Sequence, residues 1–241
     1  MGELKLGKRV LKTPAVCGAI QGSDVDEMKS AISSAVKQGV DLVELRIDSL
    51  RDTKGWTGLL GNGPVAIVTN RARREGGAFD GTEEKRVRVL LEAIAAGAQC
   101  VDLEFSMMAR LRNRVVKEAK KRRVTVLMSH HDFSATPSVE TLIGIAKRMA
   151  KAGAGIVKII TTANNTVDSL RVLDFLIDVQ NEISVPVIAF AMGEPGKMSR
   201  IASLLLGSPL TYASVGKPTA PGQLSVAETK KLLRKLMAKG R

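Results

Sequence analysis

Short β-branched runs recur about every 30 residues along this 241-residue chain, each followed by a longer stretch with helical periodicity. Strict alternation of that kind implies a parallel sheet with helical crossovers. Eight such units close into a (β/α)8 TIM barrel, an α/β fold. No long Pro/Gly/Ser-rich linker divides the chain, so residues 1–241 read as a single barrel domain. An open doubly wound sheet would want a glycine-rich phosphate loop after its first strand, and Gly18–Gly22 lacks the G-x-G-x-x-G spacing.

The elements follow in order. Residues 4–12 alternate apolar and basic side chains around Gly7, the pattern of a small β-hairpin capping the barrel bottom. The first barrel strand is Ala15–Ile20, and Met28, Ile32, Ala35 and Val36 share one face of a helix over Asp26–Gln38. Strands Asp41–Ile47 and Val65–Thr69 come next. In the helix Glu83–Gly97, Val87, Leu90, Leu91 and Ile94 point inward and Gly97 suits the C-terminal cap. After strand Cys100–Phe105, Leu111, Val115 and Ala119 form the inner stripe of 107–123. Strand Val124–Ser129 precedes helix Ser138–Ala152, with Ser138 as N-cap. Strand Ile156–Ile160, helix Thr166–Asn181 and strands Val185–Ala189 and Leu210–Ser214 complete the set.

Composition narrows the function. At 44% hydrophobic and 25% charged, the chain is too apolar to be disordered. No apolar run reaches the roughly 18 residues that cross a bilayer, and Met1–Lys12 does not read as a signal peptide, so no membrane partner is expected. Cys17 and Cys100 give neither a disulfide framework nor zinc spacing, as in a cytoplasmic protein with reduced thiols. The net charge of +13 raises the question of nucleic acid. The excess lies in two runs, 107–123 (+7) and 230–241 (+6), both on predicted outer helices. An aromatic content of 3% leaves no base-stacking platform, so no nucleic-acid partner is expected.

Chemistry in such a barrel sits at the C-terminal ends of the strands. There the chain presents Glu44-Leu45-Arg46-Ile47-Asp48, Thr69-Asn70-Arg71, Asp102-Leu103-Glu104 and Ser129-His130-His131-Asp132-Phe133. Lys158 lies within Ile156–Ile160, among apolar neighbours. Burial disfavours a charged amine, and a neutral amine attacks ketones to give a Schiff base. The alternative is a structural ion pair with Glu104 or Glu44. A histidine beside such a lysine is a credible acid/base, and alternation sends one of His130 and His131 inward. Glu75, in Glu75-Gly76-Gly77, is placed to orient it. Arg46, Arg71 and Arg200 form an anion-binding set if they converge, balanced by Glu44, Glu75 and Glu104. With two histidines and no HExxH or CxxC, no metal site is expected.

These segments resemble the type I 3-dehydroquinate dehydratases, a Schiff-base family with a (β/α)8 fold. The anchors are Glu44–Asp48, Glu75-Gly76-Gly77 with Phe79 and Gly81, Ser129–Phe133, Val157-Lys158-Ile159, Met192-Gly193 with Ser199-Arg200, and Ala220-Pro221-Gly222-Gln223. Singly they are weak; six in order, each at a predicted strand end, are specific. The resemblance implies that Lys158 forms an imine with the C3 ketone of 3-dehydroquinate. It implies His131, by the family's Ser-x-His-x-Phe pattern, as the acid/base that moves the C2 proton to the leaving C1 hydroxyl. Glu75 then orients His131, Arg200 grips the substrate carboxylate, and Glu44, Arg46 and Arg71 bind ring hydroxyls. Phe133 and Met192 become apolar walls, and Thr219 and Gln223 belong to a lid. The family needs no metal or organic cofactor, and a homodimer is expected. Thr219 stands where serine is usual, and Phe190 where a smaller or more flexible side chain is usual. The rival reading is another Schiff-base barrel lyase or aldolase acting on a small carboxylated ketone.

Overall fold

The computed structural model describes residues 2–61 and 63–237. Lys239 and Arg241, part of the C-terminal basic run, lie outside them. The hairpin comes first: β1 (Gly2–Leu6) and β2 (Arg9–Thr13) pair antiparallel, with Leu4 opposite Leu11. Leu4 and Leu6 are buried in one cluster with Leu42, Ile67, Cys100 and Leu127, residues near the starts of the barrel strands. The Gly7 N–H donates to Thr125 Oγ1 at 2.9 Å. The hairpin therefore closes the N-terminal end of the barrel.

The barrel itself runs β3 (Ala15–Ile20), α1 (Val25–Lys37), β4 (Leu42–Arg46), β5 (Ala66–Thr69), α2 (Glu83–Ala95), β6 (Cys100–Glu104), α3 (Ala109–Arg122), β7 (Thr125–His131), α4 (Val139–Lys151), β8 (Ile156–Thr162), α5 (Thr166–Val179), β9 (Val187–Met192), α6 (Ser199–Leu205), β10 (Leu210–Ser214) and α7 (Val226–Met237). All eight strands are parallel, in the order β10-β3-β4-β5-β6-β7-β8-β9. Among the described residues no ladder joins β9 to β10, so the ring is nearly closed. Phe190 and Tyr212 bridge that seam, ring centroids 6.4 Å apart.

Asp24, Thr82, Ser138 and Asn165 cap α1, α2, α4 and α5, each accepting backbone N–H groups of the first turn. Three expectations need correction. Strict alternation fails after β4: among the described residues before β5 the chain makes 3₁₀ turns at Ile47–Ser49 and Trp56–Leu59 and no α-helix. Gly55, Gly58, Gly61, Gly63 and Pro64 make that stretch a poor helix former, and the buried Trp56 covers the sheet instead. The predicted strand at 185–189 starts later and runs on to Met192. Pro186 has no N–H for a ladder, while its carbonyl accepts from Val157 N. Nor is every charge of the basic α3 solvent-facing. The half-buried Arg112 donates to the Phe105 and Met107 carbonyls and lies 4.7 Å over the Phe105 ring.

Alternation divides the strands into two apolar sets. Val43, Leu45, Val101, Leu103, Val157 and Ile159 pack outward beneath the helices. Leu42, Cys100, Leu127 and Ile156 pack inside the barrel. Two residues further along β4, β6, β7 and β8, the same inward face carries Glu44, Asp102, Ser129 and Lys158. The apolar floor thus gives way to a polar upper layer.

Candidate active site

Register builds that layer. Ser129 is the direct partner of Glu104 on one side and of Lys158 on the other, and His131 sits opposite Ile160. The Lys158 amine lies 3.2 Å from Asp102 Oδ2 and 3.4 Å from Glu44 Oε1, and stands over the Tyr212 ring, 4.3 Å from its centroid. Lys158, Glu44 and Asp102 are all buried. Glu44 was one of the two ion-pair partners expected for Lys158. The other, Glu104, instead holds Arg86 at 2.9 Å and accepts Ala72 N–H. Asp102 takes its place.

Arg71 closes the network beneath the lysine. It donates to Asp102 Oδ2 at 2.6 Å and to Ser129 Oγ at 2.7 Å, while Ser129 donates to Asp102 Oδ1. Burial by itself would raise the Asp102 carboxyl; the cations Arg71 and Lys158 outweigh it and hold that carboxyl down at about 2. Ser129 keeps its hydroxyl fully inside this cluster.

Glu75 reaches the pocket through backbone that only glycine permits. A 3₁₀ turn at Arg73–Glu75 ends on Gly76 at φ 74°, and Gly77 N–H donates to the Ala72 carbonyl. A Cβ on Gly77 would overlap the Arg71 carbonyl, and one on Gly76 would run into the Phe133 ring. The turn presents Glu75 Oε2 at 2.9 Å from His131 Nδ1, and Ser106 Oγ donates to the other oxygen. Burial and the charge of Glu104 outweigh Arg71 and push the Glu75 carboxyl up to about 7. Burial, with Arg71 and Lys158 close by, pushes the His131 imidazolium well below the usual histidine range. A neutral ring that donates Nδ1–H to Glu75 keeps a lone pair on Nε2. His130 takes the outward register opposite Ile159.

The three arginines converge on one pocket in different states. Arg46 is locked bidentately onto Asp48 at 2.9 and 2.7 Å, and Asp48 also accepts the Arg71 and Ala78 N–H groups. Arg71 belongs to Asp102. The expected balance holds in part, with Glu104 and Glu75 at 3.4 and 3.8 Å from Arg71, but aspartates carry the closest pairings of Arg46 and Arg71. For Arg200, among the described residues, no carboxylate lies within ion-pair distance. Its guanidinium lies 4.5 Å over the Phe190 ring, and Nη2 donates to the Pro221 carbonyl at 2.9 Å. Nε has no hydrogen-bond partner. Burial lowers Arg200 to about 10, so it remains a cation at neutral pH. An uncompensated buried guanidinium is a site for an anion.

The segment after β10 folds over the opening. Gln223 Oε1 accepts from both Thr219 N–H (2.6 Å) and Thr219 Oγ1 (3.0 Å). Gly222, at φ 70°, packs on the Gly193 carbonyl, where a side chain would clash. Phe133, half-exposed, stacks on His131 with centroids 6.3 Å apart, and Met192 is buried opposite. All eleven residues to which the resemblance gives a site role line this pocket: Lys158, His131 and Glu75 with Glu44, Arg46 and Arg71, and Arg200, Phe133, Met192, Thr219 and Gln223. Sequence reasoning gives no role to Asp102, Ser129, Ser106 or Tyr212. The one available signal is the pair of carboxylates, Asp102 and Glu104, two apart on one face of β6.

The chain is similar to known proteins over nearly its whole length. The family model of type I 3-dehydroquinase matches residues 16–239. The chain is 37% identical over 243 residues to the 3-dehydroquinate dehydratase of Methanococcoides burtonii, spanning 95% of this chain and 98% of that one. Identity to the enzyme of Methanothermobacter thermautotrophicus is 36% over 225 residues, 92% and 97% of the two chains. The crystal structure of 3-dehydroquinate dehydratase from Geobacillus kaustophilus shares the fold with a TM-score of 0.91 at 26% identity, over 100% of this chain and 98% of that one. With a family match over nearly its whole length and a nearly closed eight-stranded barrel, this chain belongs to the type I 3-dehydroquinase family.

Proposed function

We propose that this protein is a hydro-lyase of the shikimate pathway that dehydrates 3-dehydroquinate to 3-dehydroshikimate through a Schiff base on Lys158. The observation that carries the reading is the meeting in one pocket of a buried lysine, a carboxylate-oriented histidine and an arginine without a carboxylate partner.

Arg200 takes the substrate carboxylate, the one strong anion that its buried guanidinium lacks. Glu44, Arg46 and Arg71 meet the ring hydroxyls, Phe133 and Met192 wall the ring, and Thr219 and Gln223 close the lid over it. The Lys158 amine attacks the C3 ketone, whose oxygen departs as water. Dehydration β to a ketone needs a carbanion at the intervening carbon, and a protonated imine is a better electron sink than a ketone. His131 removes the C2 proton, and the C–H electron pair flows to the iminium nitrogen to give an enamine. The enamine then expels the C1 hydroxyl, which takes the same proton from His131 and leaves as water. Hydrolysis of the conjugated imine returns the lysine amine and releases the enone. One histidine serves both transfers when proton and hydroxyl leave from one face, and Glu75 holds its ring for both.

The test is the ultraviolet absorbance of the enone formed from 3-dehydroquinate, together with borohydride trapping. Absorbance rises, and borohydride with substrate adds mass at Lys158 and inactivates the enzyme. Label at another lysine, or turnover without label, sinks the Schiff-base assignment. We also propose a cytoplasmic location, in keeping with the two buried free thiols Cys17 and Cys100, and a homodimer, which rests on the family resemblance and is read out by analytical ultracentrifugation.

A further inference from the structure

Tyr212, on β10, is buried and lines the pocket, yet its hydroxyl has no hydrogen-bond partner among the described residues. Burial, with Glu44 next in importance, pushes its phenol well above the ordinary tyrosine range, so the ring stays a neutral π system. Nothing polar accounts for the aromatic residue here. What it offers the site is a ring face, with the Lys158 nitrogen 4.3 Å from its centroid. That is within the distance at which a cation is attracted by the ring quadrupole.

The chemistry changes what surrounds that nitrogen. As an ammonium, Lys158 has three N–H groups and reaches both Asp102 Oδ2 and Glu44 Oε1. When the imine forms, the N–C bond is made, and two of those three protons leave with the ketone oxygen as water. One proton stays on the iminium. A nitrogen with a single N–H keeps at most one of the two carboxylate hydrogen bonds. The ring needs no N–H; it responds to the charge alone.

We propose that the Tyr212 ring face is a further site residue, holding the iminium cation through imine formation, proton abstraction and hydrolysis. This rests on the Schiff-base reading of Lys158. The seam between β9 and β10 then carries two cations on two rings, Lys158 on Tyr212 and Arg200 on Phe190.

The test compares variants at position 212 by steady-state kinetics and by borohydride trapping followed by mass spectrometry. Tyr212→Leu lowers kcat roughly tenfold, with a smaller change in KM, and lowers the trapped fraction. Tyr212→Phe, which keeps the face and discards the unpartnered hydroxyl, recovers most of that loss. Replacement of Tyr212 by phenylalanine analogues bearing one, two and three ring fluorines keeps the shape while draining the quadrupole, and kcat falls stepwise along the series. The fluorinated series decides the matter even where Tyr212→Leu fails to fold. A flat series, or Tyr212→Phe as impaired as Tyr212→Leu, overturns the proposal. Absence of label at Lys158 in the wild-type protein instead overturns the Schiff-base reading beneath it, and that is a different result from a labelled enzyme with a flat series.

Discussion

His131 Nδ1 lies 2.9 Å from Glu75 Oε2, and the imidazole is the only one in the pocket among the described residues. The carboxylate fixes which nitrogen faces the substrate. His131→Ala is expected to lower kcat by about 10²–10⁴, the range for loss of a general acid/base. Lys158 remains, so borohydride still traps some imine at that residue. Near-normal turnover of the variant would put the proton transfers on another group.

Glu75 carries a cost in stability with a defined pH dependence. Its carboxyl titrates at about 7 in the folded protein against 4.5 ordinarily, because burial penalises the charge. A group with a raised folded pKa favours the fold below its unfolded pKa and loses that contribution as pH rises through the folded value. Glu75→Gln, which cannot ionise, should therefore be the more stable protein above pH 7, by on the order of 1–3 kcal/mol. The two should converge below about pH 4.5, as followed by urea unfolding across pH. A gap that is constant with pH would mean that Glu75 is not held against its charge. The same variant should lose turnover, which ties the cost to function.

Asp102 has the opposite sign. Burial raises its carboxyl, but Arg71 and Lys158 prevail and depress it from 3.8 to about 2. Its contribution is present above the unfolded pKa and fades as pH falls toward the folded one. Asp102→Asn leaves two buried cations short of an anion, and should cost about 3–5 kcal/mol at pH 7 in denaturant unfolding. The difference from wild type should narrow below about pH 4. Loss of less than about 1 kcal/mol would show that Glu44, Glu75 and Glu104 suffice for both cations.

The barrel was legible because short β-branched apolar runs, alternating with period-3.6 helices, leave strong marks along the chain, and the N-terminal hairpin because Leu4 and Leu6 alternate with solvent-facing charge. The missing helix after β4 goes against the repeat, and only the glycines between residues 55 and 63 signal it. Site residues at strand ends were legible for the same reason that strands were. Asp102 was not, because its value lies in partners 31 and 56 residues away, Arg71 and Lys158. Tyr212 reads as one more apolar strand residue until the lysine is seen above its ring. The pairings of Arg46 and Arg71 depend on side-chain rotamers, which periodicity does not specify.

Arg200 offers the sharpest separation of binding from chemistry. Its guanidinium is buried over Phe190 with one N–H on the Pro221 carbonyl and, among the described residues, Nε unpartnered, which leaves hydrogen-bonding capacity for an anion. Lysine keeps the charge but not the guanidinium fork, the planar stacking or the reach to Pro221. Charge-assisted hydrogen bonds contribute roughly 1.5–3 kcal/mol each, so Arg200→Lys should raise KM for 3-dehydroquinate by about 10–100-fold. The carboxylate makes and breaks no bond of its own, so its charge, and its pairing with Arg200, is expected to differ little between ground and transition states. Such uniform binding appears in KM with kcat changed far less. A variant whose kcat collapses while KM stays put would instead place Arg200 at the developing charge, and the carboxylate would need another partner. The surface arginines of α3, which lie on the barrel's outside, supply the control: Arg114→Lys should leave both constants unchanged.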